Sequence, residues 1–419
     1  MATDLGKRSP FESPVLGAMG HAEIRWKSKA DSIAGIEQEL GRMWSQIDLS
    51  VPGSEEGGAR LVSARTSVMN LVVITRRPEI AERAVATIHA LTGRHPSRTL
   101  LITSADPDGP AWLDARIEAH CVLPREDSPE ICAEMVILTA GGEAGRHLSA
   151  LVTPLVVHDL PVTVWWPSEP LFRSQATLDL LGAADRLVVD GSSWNGDGLD
   201  RLRDLAELAA TTGIAVSDFA LDRQSRWREA IASIFDDPDF TPYLRSIRRI
   251  AVTYATHDET GAPGSTNIVK PVYHVAWLAS CLGLRVVKPL NAVNAAKRSG
   301  SKSQMARGHA ATLSDGRAEV GVIVRPVTSP APAGTTLRVE LLAERRGSEL
   351  RADVTAEKDI VRVRVWQDGV EVLDRSFNAT RRTEVELLAQ AIEASGRNRL
   401  AADALAVASA LVAPPDAAA

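Results

Sequence analysis

Cysteine is scarce in this chain: only Cys121, Cys132 and Cys281 occur among 419 residues. So few exclude a disulfide framework and fit a reducing compartment. No CxxC pair or Cys/His cluster has zinc spacing, and His89 and His95 stand too far apart along a helix end to share a metal. The catalytic signatures are missing as well. There is no GxGxxG after a strand, no GxxxxGK[ST] phosphate loop, no GxSxG elbow and no HExxH. The nearest thing to a phosphate cradle, Gly261 to Thr266, lacks the lysine. Asp106 with Asp108, and Asp236 to Asp239, are acidic enough for a cation but read as solvated turns. We therefore expect no catalytic residues, no resident cofactor and no metal. The most apolar long stretch, Leu148 to Trp166, is interrupted by His158, Asp159 and two prolines, which excludes a membrane span. The first residues lack the apolar run of a secretion signal, so the expected location is cytoplasmic. A net charge of −6 argues against general nucleic-acid binding.

What is present is an ordinary globular composition, 45% apolar and 24% charged, in a chain long enough for two or three domains. Residues 1–29 are rich in Gly, Ser and Pro and read as a flexible arm. Ile33, Ile36, Leu40 and Trp44 share one helix face, and a linker follows; together they occupy 30–58. A long strand over 60–75 leads to a helix with Pro78 in its first turn. Strands at 98–104, 113–123 and 130–139, a helix at 143–156, and strands at 161–166 and 186–190 alternating with helices make 59–240 a mixed-sheet α/β domain, with a possible internal boundary near 167. From 241 to 412 we expect an α+β domain: a βαβ unit over 247–288, a β-meander over 317–377 and two closing helices, before a frayed tail at 413–419. The fold class is α/β.

Two local inferences follow. If 113–123 and 130–139 pair as a hairpin, Cys121 faces Cys132, either as a redox-sensitive cross-strand pair or as two buried small residues. Trp165 and Trp166 are adjacent on one strand and must point to opposite faces. One suits a core; the other lies under a helix or toward a partner.

ARTSVMNLVVIT (64–75), HPSRTLLIT (95–103), LPVTVWWPSEP (160–170), DRLVVD (185–190) and SDFALDRQSRWREAIASIFDD (217–237) together resemble, in order and spacing, the glucose-6-phosphate dehydrogenase assembly protein family, OpcA. The resemblance is good over roughly 60–240 and looser beyond. It implies a non-catalytic protein that binds glucose-6-phosphate dehydrogenase, promotes its oligomeric assembly and raises its NADPH output. Nucleic acid and membrane are not implied partners. Arg98, Trp165, Trp166, Trp227 and Arg228 lie in the shared blocks, each with a structural and a functional reading. Some photosynthetic members are thought to be redox-controlled through cysteines in the C-terminal half; here only Cys281 lies there.

Charge patterning offers a partner surface. Between Thr260 and Ser314 there is no Asp or Glu, yet Lys270, Arg285, Lys288, Lys297, Arg298, Lys302 and Arg307 fall there. Removing these seven charges leaves −13 on the remainder, an acidic body carrying one basic segment. Asn291 to His309, rich in Ser, Gly, Lys and Arg, reads as a mobile loop for an acidic protein face or an anion. The rival to an assembly factor is accordingly an enzyme or sensor that binds a sugar phosphate or nucleotide through 261–302.

Overall fold

A computed structural model describes residues 23–47, 64–65, 67–106, 108–122, 131–257, 264–297, 304–394, 396 and 398–414. The first half contains β1 (Glu23–Ala30), α1 (Ile33–Ile47), β2 (Ala64–Arg65), β3 (Asn70–Thr75), α2 (Pro78–Leu91), β4 (Arg98–Ser104), β5 (Trp112–Val122), β6 (Ile131–Gly141), α3 (Gly142–Arg146), α4 (Leu148–Val152), β7 (Val162–Trp166), α5 (Gln175–Leu181), β8 (Arg186–Val189), α6 (Leu199–Thr212), β9 (Ala215–Asp218), α7 (Phe219–Asp222) and α8 (Ser225–Ile234). The second contains β10 (Ile247–Thr256), α9 (Val269–Leu282), β11 (Arg285–Lys297), β12 (Gln304–Ser314), β13 (Glu319–Thr328), β14 (Thr336–Arg345), β15 (Ser348–Glu357), β16 (Ile360–Gln367), β17 (Val370–Asn378), α10 (Glu384–Glu393) and α11 (Arg399–Leu411). No helix among the described residues is long and apolar enough to cross a membrane.

The first sheet runs β1-β5-β6-β4-β3-β7-β8-β9, with the short β2 beside β6. From β6 to β9 every neighbour is parallel. Counted by their own order in the chain, those six strands run 3-2-1-4-5-6, the order of doubly wound dinucleotide-binding sheets. The sequences fit: β3 and β8 are buried throughout, as central parallel strands covered on both faces must be. Trp165 and Trp166 do point to opposite faces, and both are buried, so neither is free for a partner.

The second sheet runs β11-β12-β13-β10-β14-β15-β16-β17, antiparallel except where β10 meets β13. The α/β class is as expected from the strand alternation, and the meander holds from β14 to β17, but its first expected strand, β13, is parted from β14 by β10. The crossover β10-α9-β11 is present, with β12 and β13 inserted between its strands.

Several local expectations are corrected. Residues 23–29, expected in the arm, belong to β1, which pairs antiparallel with β5; residues 1–22 lie outside the described ones. The strand expected over 60–75 is β2 and β3 separated, and the helix expected over 143–156 is two short helices. The basic loop at 291–309 is mostly strand: β11 and β12 pair from Arg285↔Ser314 to Lys297↔Gln304. Between 241 and 412 the strands build the second sheet, but the last two helices return to the first. Leu387 and Leu388 of α10 join the cluster of Ile88, Leu101 and Met135, while α11 packs against α9 and α6. One face of the first sheet and the second sheet share a continuous apolar core that runs from Ile36 to Val412.

Candidate functional site

In a doubly wound sheet, a dinucleotide pyrophosphate sits at the first βα turn, where glycines let the backbone approach and helix amides point at the anion. Here that turn is Thr75-Arg76-Arg77-Pro78-Glu79. It has no glycine. Pro78 removes an amide donor, and Glu79 places a carboxylate in the first turn of α2. Thr75, fully buried, turns its hydroxyl onto the Arg77 backbone instead. These residues do not fit a dinucleotide pyrophosphate.

A different site lies outside the carboxyl ends of β8 and β9. Asp190, just after β8, grips Arg223 with both oxygens, at 2.7 and 2.8 Å. Burial pulls the Asp190 carboxyl upward, but the Arg223 fork and Ser192 hold it below the usual range. Asp218 ends β9. Its Oδ1 accepts from the Gly191 and Ala220 amides, each at 2.8 Å, and its Oδ2 from the Tyr273 hydroxyl at 2.9 Å. Only glycine fits at 191, since a Cβ there would meet Asp218 Oδ2 at 2.7 Å. Burial raises Asp218 to about 7, helped by the Asp190 charge, and burial raises Asp222 to about 6.

Above this floor, α8, the start of α9 and the second sheet enclose a cleft of about 360 Å3. Its lining contains Arg223, Arg226, Lys270, Lys358, Arg381 and Arg382, and no carboxylate. Arg223 is paired with Asp190, Arg226 with Glu229, and Arg382 with the Gln390 amide oxygen. Lys270, Lys358 and Arg381 have no ion pair among the described residues. Burial pushes the Lys270 ammonium down to about 8; Arg223 and Arg381 push the same way, against Asp190. The same lining holds buried polar atoms without a protein partner: Gln224 Oε1, Ser225 Oγ, Thr336 Oγ1 and both ring nitrogens of His274. Burial keeps His274 neutral, at about 3, with its ring 5.2 Å from that of Trp227.

The structure disperses the basic segment. Lys270 begins α9 and faces the cleft; Arg285 follows the other end, about 21 Å away along the helix axis. Arg285 and Lys288 are exposed on the edge strand β11. Lys297 ends β11 and Arg307 lies on β12, while Arg298 and Lys302 fall outside the described residues. Of the block residues, Trp227 lines the cleft. Arg228 lies behind it beside Asp222 and donates to the Leu221 carbonyl at 2.6 Å. Arg98 is structural: it bonds Glu134 at 2.7 Å and the Leu155 carbonyl at 2.9 Å. Trp165 packs in the core beside Phe219.

Two features escaped the sequence reading. The cleft draws on α8, α9 and the segments around 332, 358 and 381, so no local spacing announces it. His89, Glu118 and His120 converge within metal-ligand reach of one another. Their internal bonds already use them: His89 Nε2 lies 3.1 Å from His120 Nε2, which is 3.2 Å from Glu118, and Glu118 also holds Arg116 at 2.8 Å. Burial drives His89 down to about 4, so its own ring is neutral near pH 7. By contrast, Cys121 and Cys132 face each other in the expected register, and of the two readings left open the structure has the bonded pair, a disulfide.

Comparison with known proteins follows the two halves. Residues 88–207 match the family described as glucose-6-phosphate dehydrogenase subunit N-terminal domain, and 214–405 match the corresponding C-terminal domain. A Synechocystis protein named "Putative OxPP cycle protein OpcA" is 29% identical over 185 residues, covering 44% of this chain and 36% of that protein. A Nostoc punctiforme protein of the same name is 27% identical over 171 residues, covering 41% and 34%. The matches thus span about a third of these relatives' length. Among solved structures, the transcriptional regulator Gal80p from Kluyveromyces lactis is 9% identical with a TM-score of 0.41, covering 83% of this chain and 88% of that one. UDP-N-acetylglucosamine 3-dehydrogenase GnnA from Acidithiobacillus ferrooxidans is 10% identical with a TM-score of 0.39, covering 83% and 96%. Likeness at that level carries no functional argument.

Proposed function

Because the chain belongs to the glucose-6-phosphate dehydrogenase assembly family, OpcA, we propose that it is a non-catalytic factor that binds glucose-6-phosphate dehydrogenase, promotes its oligomerisation and raises NADPH formation in the oxidative pentose phosphate cycle. The observation that carries this reading is the pair of family matches in series, one over each half of the molecule. The first βα turn supports it, since its residues do not suit the cofactor that a dehydrogenase of this strand order would hold there.

The physical requirement is specific. An activator must bind the active state of its enzyme better than the inactive one, however tight the complex. A tenfold gain in apparent substrate affinity needs only about 1.4 kcal/mol of such preference. By reciprocity, substrate then tightens the complex. The exposed basic edge of the second sheet, with Arg285 and Lys288 on β11, offers long-range attraction to an acidic enzyme face.

The test mixes the purified chain with its cognate dehydrogenase, recording the mass of the complex and the rate of NADPH formation. Co-elution, a shift to a larger assembly and a higher rate are expected. Separate elution with an unchanged rate overturns the reading. Charge reversal at Arg285 and Lys288 should slow association and flatten its salt dependence if the basic edge docks; unchanged kinetics remove that edge from the interface.

A further inference from the structure

We propose that the cleft between α8, α9 and the second sheet binds a small phosphorylated anion, with the phosphate held by Lys270 and Arg381 and the carbon skeleton lying against Trp227. Three independent observations converge there. The lining carries six cations and no carboxylate, and Lys270, Lys358 and Arg381 lack an ion pair among the described residues. A cation brought out of water without a counter-charge is costly, and a bound anion removes that cost. The part-buried Lys270 is such a cation.

The second observation is the set of orphaned polar atoms. Buried polar groups without partners are rare in folded proteins, because each forfeits its hydration without a compensating bond. Here Gln224 Oε1, Ser225 Oγ, Thr336 Oγ1 and the two His274 nitrogens are all buried, unpartnered within the protein, and gathered around one cavity. Ser225 and Thr336 can donate to phosphate oxygens. Gln224 Oε1 and neutral His274 can meet the hydroxyls of the skeleton. The set suits a polyhydroxylated phosphate ester better than a bare anion.

The third is size and wall chemistry. A cavity of about 360 Å3 falls in the range of small-molecule sites, and Trp227, Leu337 and Val361 give it an apolar wall. The cleft also lies outside the carboxyl ends of parallel strands, where open α/β sheets place their ligands, though beside β8 and β9 rather than at the β3–β7 switch point. An extended acidic peptide would place carboxylates along an open groove and leave the orphaned atoms of the cavity lining unserved.

The inference does not depend on the dehydrogenase partner, because the isolated full chain suffices to test it. Calorimetric titration with inorganic pyrophosphate and with glucose 1-phosphate, at fixed ionic strength, should give saturable one-site binding, the ester binding more tightly. Lys270→Met and Arg381→Glu should each weaken it at least tenfold. Arg285→Glu with Lys288→Glu, on the distant sheet edge, should leave it within twofold. Arg381 is exposed, so its variant tests the site even if Lys270→Met fails to fold, and a thermal melt of each variant separates the two cases. Absence of saturable binding overturns the proposal, as does binding indifferent to Arg381→Glu or equally weakened by the edge pair. Tighter binding of a glutamate-rich peptide through Lys270 and Arg381 would also overturn it, assigning the cleft to a protein segment.

Discussion

The first βα turn and the cleft beside β8 and β9 lie on the same side of one sheet, yet they are built in opposite ways. The turn keeps its position in the 3-2-1-4-5-6 order but has Arg, Pro and Glu where an anion would need glycines and free amides. The cleft has no fingerprint of any kind, yet it collects unpaired cations and orphaned polar atoms. Strand order is set by how parallel strands bury both faces; ligand chemistry is set by the side chains that end up beside one another. A fold can therefore keep its frame while its polar site lies elsewhere on the same edge.

The largest effect that sharpens this contrast is expected from Asp190→Ala. It removes the fork from Arg223 and leaves a guanidinium largely buried without its counter-charge. Unfolding free energy should drop by about 3 kcal/mol in a denaturant titration. The freed Arg223 should then add to the cleft's positive field, so pyrophosphate affinity should rise. A stability loss accompanied by weaker binding would mean that the floor only shapes the cleft and does not tune its charge.

Next in size is the disulfide. Replacing both Cys121 and Cys132 by Ser reopens a loop of sequence separation 11. The cost is at most about 3 kcal/mol by loop-closure entropy, and less here because β1 and β4 hold β5 and β6 from either side. The disulfide lies in β5 and β6, well along the sheet from β8 and β9. Cleft affinity should therefore be unchanged, by the same calorimetry, even as the melting temperature falls.

Much of the frame was legible. The Cys121↔Cys132 register followed from the hairpin midpoint, the opposed faces of Trp165 and Trp166 from strand alternation, and α2, α9 and the meander from periodicity. β1 was hidden because Glu23–Ala30 is a half-exposed edge strand next to a Gly- and Ser-rich stretch. β12 and the far part of β11 beyond residue 288 were hidden because Asn, Ala, Ser and Lys have weak strand propensity, and pairing along a sheet edge overrode it. The cleft was illegible for a deeper reason. Arg223, Lys270, Thr336 and Arg381 are spread over more than a third of the chain and meet only when the second sheet closes on α8 and α9. The basic run is concentrated only in sequence: Lys270 opens α9, whereas Arg285 and Lys288 lie beyond its far end on β11.

A smaller effect separates the buried floor from the surface by pH. Asp218 is raised to about 7 in the folded protein, so folding favours its protonated form. Its contribution is full below the unfolded value near 4 and is lost as pH rises through 7. His274 acts in reverse: lowered to about 3, it costs stability as pH falls below about 6.5. Asp218→Asn removes only the first contribution. Relative to the parent, the variant should gain stability across pH 4 to 7, with a slope approaching about 1.4 kcal/mol per pH unit, as read from urea midpoints. A constant offset between the two curves would show that Asp218 is ionised throughout.

The smallest effect bears on the turn itself. Arg77 is the residue before α2, extended at φ −123° and ψ 120°, and its side chain makes no cap bond. Serine in that geometry can accept from an amide of the first turn, so Arg77→Ser should stabilise the protein by about 0.5–1 kcal/mol. It also deletes a cation from the place where a dinucleotide fold would hold its phosphates. If the cleft is the anion site, pyrophosphate affinity is indifferent to this change while the melting temperature rises. If affinity falls instead, the turn still contacts the anion through Arg77 despite lacking glycine, and the frame and the site have not parted.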